Sequence, residues 1–101
     1  MEVSRSVIDV IEVLRLKGRF DYAVQRVFQS AAKEAVENQA SREIQVDLRE
    51  VKYVDSSALG MLLTLRDDAK AVGKTVAIIG ATGPVRSAFA IANFEALFVF
   101  K

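Results

Sequence analysis

The chain of 101 residues contains no cysteine and no histidine. Without cysteine there is no disulfide framework and no thiolate nucleophile. The missing histidine also excludes the commonest zinc sites and every Ser-His-Asp or Cys-His arrangement. Carboxylates remain, but they are scattered singly apart from Asp67-Asp68, which fall on the outside of a helical pattern. No enzyme activity, metal or cofactor is therefore expected. Charge of one sign is lacking too: 14 basic against 13 acidic residues leave a net charge of +1, interleaved along the chain. No strong field draws the chain to nucleic acid or to an anionic membrane. No apolar run approaches the ~20 residues needed to cross a bilayer, so no direct membrane insertion is expected. The N-terminal stretch MEVSRSVIDVIEV has acids within its apolar part and no cleavage-type ending, unlike a signal peptide. A cytoplasmic protein is the expectation. With no linker, repeat or low-complexity tract, residues 1–101 are read as one domain.

What is present is ordered alternation. Val3 to Lys17 reads as one or two strands with a break near Ile8-Asp9, and Gly18-Arg19-Phe20-Asp21 as a turn with Asp21 as a helix N-cap. From Tyr22 to Asn38, Val24, Val27, Phe28, Ala31, Ala35 and Val36 form one helical stripe. Ile44, Val46 and Leu48 alternate with polar residues as in a strand, and Val51, Tyr53 and Val54 continue it. A second helix is expected from about Ser57 to Val72, with Ala58, Leu62, Leu65, Ala69 and Val72 inward and Gly73 ending it. Thr75 to Ile79 reads as a strand covered on both faces. Gly80 to Gly83 form a turn, Pro84 opens a third helix with Val85, Ala88, Phe89 and Ala92 inward, and Leu97 to Phe100 close as a strand. The Gly80–Gly83 turn lacks the Lys-Ser/Thr of a P-loop and the spacing of a dinucleotide fingerprint. The expected class is α/β: a mixed, mostly parallel sheet of four to five strands, with about three helices mainly on one face.

Residues 51–65, VKYVDSSALGMLLTL, carry the most information. An extended segment reaches Asp55, Ser56 and Ser57, and a helical pattern begins at once. A hydroxyl at a helix start lies where backbone N–H groups lack partners and the dipole is positive. It is exposed and tolerates added negative charge. The outward positions of this helix are Ser56, Gly60, Leu63, Thr64 and Asp67.

The run VDLREVKYVDSSALGMLLTL resembles a STAS domain, specifically a bacterial anti-sigma factor antagonist. Val46-Asp47-Leu48, Tyr53-Val54 and Asp55-Ser56-Ser57-Ala58-Leu59-Gly60 are similar to the family's motif; Leu16 to Asp21 is similar to its early turn, and Pro84-Val85-Arg86 to its third helix. The family's regulated residue maps to Ser56, with Ser57 as the second hydroxyl a kinase can choose. The resemblance implies partner switching. The unphosphorylated form binds an anti-sigma factor with serine kinase activity, phosphorylation of Ser56 releases it, and a PP2C-type phosphatase resets it. The surface so implied contains Asp21, Asp55, Ser56, Ser57, Ala58, Gly60, Leu63, Thr64 and Asp67. Ala58 stands where many members have glycine, which strengthens the helix start by about 0.8–1 kcal/mol and places a methyl group toward an approaching partner. The alternative is a non-switching STAS subunit of a membrane transport ATPase complex.

Overall fold

The computed structural model describes residues 2–101. Strand β1 (Glu2–Ile8) turns at Asp9, which takes a positive φ of 56°, into β2 (Ile11–Phe20). A 3-10 turn (Tyr22–Val24) leads into α1 (Gln25–Glu37); β3 (Glu43–Val54), α2 (Ser56–Ala71), β4 (Thr75–Ile79) and α3 (Gly83–Ile91) follow. A second 3-10 turn (Phe94–Ala96) precedes the short β5 (Val99–Phe100). The sheet order is β1-β2-β3-β4-β5; β1 is antiparallel to β2 and the other neighbours are parallel. This is the expected mixed five-stranded α/β sheet.

One hydrophobic cluster unites all three helices with one face of the sheet. Leu14, Leu16, Ile44, Val46, Leu48, Val76 and Ile78 meet Phe28 and Ala35 of α1, Leu62 and Leu65 of α2, and Val85 and Phe89 of α3. The opposite face carries Arg15, Gln45, Asp47 and Thr75, so β4 is covered by helices on one side only, contrary to the two-sided cover its apolar run suggested. Ala77 is buried on that outer face because it is small and flanked by Gln45 and Val99. The helical stripes hold with three exceptions. Val27, Val72 and Ala92 are exposed, and Ala32 takes the inward position on α1. Each exception sits at or near a helix end, where a stripe drifts off the face it began on.

β2 continues through Gly18 to Phe20 instead of turning there. The pairing with β3 shifts twice, between Arg15 and Lys17 and between Gly18 and Arg19, each time with an extra residue on β3. At the first of these bulges Leu48 and Val51 both point inward while Arg49 and Glu50 both face out. The Asp47 carboxylate holds this kink from the outer face: it accepts the Arg49 N–H at 3.0 Å and binds the Arg49 and Arg15 guanidinium groups at 2.6 and 3.4 Å. Those bonds, Arg49's first among them, outweigh burial and hold the Asp47 carboxyl below the usual carboxylate range.

The end of the sheet where β3 and β4 begin is tied by buried polar groups. α2 closes in a Schellman motif, with Gly73 at φ 78° and the Lys74 N–H on the Ala69 carbonyl at 2.9 Å. Lys74 then turns its Nζ onto the last carbonyls of α1, donating to Ala35 O at 2.9 Å, to Asn38 O, and to Ser41 Oγ at 2.9 Å. A cation here meets the negative end of the α1 dipole. Fully buried Glu12 accepts from Asn38 Nδ2 at 2.9 Å and pairs with Arg5, which also reaches Glu34. Burial alone would raise the Glu12 carboxyl, but the bonds from Arg5 and Asn38 hold it below its usual value.

Candidate functional site

The candidate site lies at the other end of the parallel strands. β2 and β3 finish side by side, with Phe20 opposite Val54, and the Asp55 N–H donates to the Phe20 carbonyl at 3.3 Å. Asp55 is extended (φ −113°, ψ −177°) and caps α2: its Oδ1 accepts the Ala58 N–H at 2.9 Å. Its Oδ2 accepts the Tyr22 N–H at 3.2 Å. One carboxylate thus serves the first turn of α2 and the 3-10 turn after β2. Asp21 caps that same turn through Ala23 N–H at 3.1 Å and receives Arg19 Nε at 3.4 Å. The Arg19 guanidinium lies 4.0 Å from the centre of the Tyr53 ring.

Ser56 is the first residue of α2 and is exposed, and its hydroxyl makes no hydrogen bond among the described residues. Ser57 is half-buried. Ala58 is 0% exposed and belongs to the core. Its expected place on a partner surface is therefore corrected: in the first helical turn positions 56 and 58 face about 200° apart, so a methyl at 58 fills the interior and cannot meet a partner. Gly60 is exposed, and a Cβ built on it would meet nothing within 4 Å. Leu63 is half-buried and packs on the core, so it offers an edge more than a face. Thr64 is exposed, with its hydroxyl donating to the Gly60 carbonyl at 3.1 Å. Asp67 is exposed and 3.5 Å from Arg66; eleven residues of helix put it about 16 Å from Ser56. Asp21, Asp55, Ser56 and Gly60 are thus brought together, and Asp67 marks the far limit of the strip. Thr64 also borders a groove of about 400 Å³ between α1 and α2, floored by Phe28, Ala32, Met61 and Leu65.

Two features of the site have no counterpart in the sequence pattern. Tyr22, which the pattern puts at the start of the first helix, stands on the 3-10 turn with 70% of its surface exposed, bonded to Asp55 through its amide. The Arg19–Tyr53 stack forms the adjoining wall. The available signal was an aromatic residue directly after a cap and outside the apolar stripe. Among the described residues no cluster of acids is placed to hold a metal ion, and no helix is long and apolar enough to cross a membrane.

A family model described as "Mlab, STAS domain" matches residues 7–99. The chain belongs to the STAS domain family. It is 40% identical over 85 residues to a STAS-domain containing protein of Pseudomonas aeruginosa, covering 84% of this chain and 82% of that protein. The anti-sigma factor antagonist SpoIIAA in its unphosphorylated form superposes with a TM-score of 0.77 at 19% identity, covering 99% of this chain and 87% of that one. The phosphorylated form of the same Bacillus protein gives 0.75 at 18%, covering 99% and 91%. A sulfate transporter family protein from Wolinella succinogenes gives 0.78 at 18%, covering 94% and 80%. At these identities the solved structures establish the shared fold.

Proposed function

We propose that this STAS domain is a cytoplasmic, phosphorylation-controlled binding protein of the anti-sigma factor antagonist type, with no catalysis of its own. In its unphosphorylated state it binds an anti-sigma factor or similar regulator with serine kinase activity; phosphate on Ser56 releases that partner, and a PP2C-type phosphatase restores binding. The observation that carries this reading is the exposed, unbonded Ser56 hydroxyl at the start of α2, beside the exposed strip of Gly60 and Thr64. A phosphoserine carries roughly −1.5 to −2 charges. The helix dipole compensates by roughly 0.3–1 kcal/mol for a single charge, while Asp55 repels it, so folding changes little. Burying the same charge against an unprepared partner costs several kcal/mol, and each 1.4 kcal/mol is tenfold in affinity. The switch therefore acts on binding, with a loss of roughly a hundredfold or more. SpoIIAA, a protein of the same fold, is known in phosphorylated and unphosphorylated forms, which supports the reading.

A second reading is a subunit held permanently in a membrane transport ATPase complex. A sulfate transporter family protein of the same fold gives it a precedent for a STAS fold in a transporter family. Co-purification of tagged wild type, Ser56→Ala and Ser56→Asp, with intact mass before and after phosphatase treatment, separates the two. The switch predicts a phosphate on Ser56 and a partner kept by Ser56→Ala and lost by Ser56→Asp. Identical partners for all three proteins and an unmodified mass would overturn it in favour of the permanent subunit.

A further inference from the structure

We propose that Asp55 is a positioning residue that couples Ser56 to the Tyr22 turn, so that modification at the start of α2 is felt in that turn. The proposal rests on the reading of Ser56 as the modified residue. Asp55 uses both carboxylate oxygens, and the two bonds are unequal. The bond to Ala58 N–H is 2.9 Å and lies within the first turn of a sixteen-residue helix. The bond to Tyr22 N–H is 3.2 Å, exposed, and crosses to a three-residue turn that contains no buried residue. Phosphate on the adjacent Ser56 repels the Asp55 carboxylate and strains both of its bonds. The longer, more exposed bond yields first. Tyr22, 70% exposed, then loses the tie that sets its turn against α2. The surface that responds to Ser56 therefore extends across the strand ends to Tyr22, beyond the face of α2.

The test uses full-length protein with phosphoserine installed at position 56 by semisynthesis, with amide exchange with solvent measured by NMR. Exchange at Tyr22 N–H is expected to rise about three- to tenfold, the factor that one hydrogen bond is worth, while Ala58 N–H changes less than twofold. Asp55→Asn keeps an oxygen for Ala58 but turns an NH₂ toward Tyr22. It is expected to raise Tyr22 exchange alone, with phosphoserine adding nothing further. Tyr22 exchange unchanged by phosphoserine in the wild-type background, where no fold-altering substitution intervenes, overturns the coupling. So does an equal rise in wild type and Asp55→Asn. Because the phosphate is installed, failure here is distinct from failure of the switch, which shows as an unmodified mass in cells.

Discussion

The two ends of the parallel sheet are closed by charged side chains in opposite ways. At the end where β3 and β4 begin, Lys74, Glu12, Asn38 and Ser41 are buried or half-buried, and Lys74 alone donates to three acceptors. At the end where β2 and β3 finish, half-buried Asp21 accepts one backbone amide and half-buried Asp55 accepts two, with no fully buried charge among them. A buried polar group left unpaired costs far more than an exposed one. The first end is therefore a base that fixes how α1 and α2 sit on the sheet, and the second is free to change its bonding without unfolding the domain. A binding surface that must exist in two states belongs at the second.

The comparison breaks most visibly at the base. Lys74→Met removes the charged donor that ties the Ala35 and Asn38 carbonyls and the Ser41 hydroxyl together, and is expected to cost about 3 kcal/mol in urea unfolding. Acid should attack Glu12 in this base and Asp47 at the β3 kink together. The folded protein keeps Glu12 and Asp47 ionised at pH values where the unfolded chain takes up protons. Their contribution is full above the ordinary carboxylate range of about pH 4–4.5 and is lost as pH falls through the lower folded-state values. In Glu12→Gln, unfolding measured across that interval should lose part of its pH slope. At the other end Asp55→Ala removes the α2 cap and should cost about 1–2 kcal/mol. Gly60→Ala sharpens the contrast with the opposite sign. The new Cβ meets nothing, so stability should rise by about 0.5–1 kcal/mol while partner capture falls. A rise in both would remove Gly60 from the contact surface. The smallest effect belongs to Ser56→Asp, which should shift the unfolding midpoint by less than the equivalent of about 1 kcal/mol; a larger loss would make position 56 part of the fold and not of a switch.

Much of this fold was legible because its signals are local. Alternation marked Ile44 to Leu48, the Asp-Ser start and Gly73 stop bounded α2, and Pro84 opened α3. The N-cap at Asp21 followed from its place before an apolar stripe. Errors arose where the deciding interaction is remote. The outer face of β4 is open because all the helices pack on the other side, which no pattern within Thr75 to Ile79 encodes. Gly18 looked like a turn because glycine marks bulges and turns alike. Within the site, the exposure of Ser56 and Gly60 follows from helical geometry, whereas the motif position of Ala58 points to a partner surface against its own inward phase. The bond from Tyr22 to Asp55 joins residues 33 positions apart, and only their meeting at the strand ends reveals it.

β3 spends twelve residues where its partner β2 spends ten, and the surplus is the pair of bulges leading to Asp55. The strand that delivers Ser56 thus carries slack. Dropping Lys52 would leave Val51 and Val54 facing inward with Tyr53 outward, a regular alternation, while drawing the start of α2 back along the sheet. The height at which the serine is presented can therefore change by a one-residue deletion that leaves the interior pattern intact.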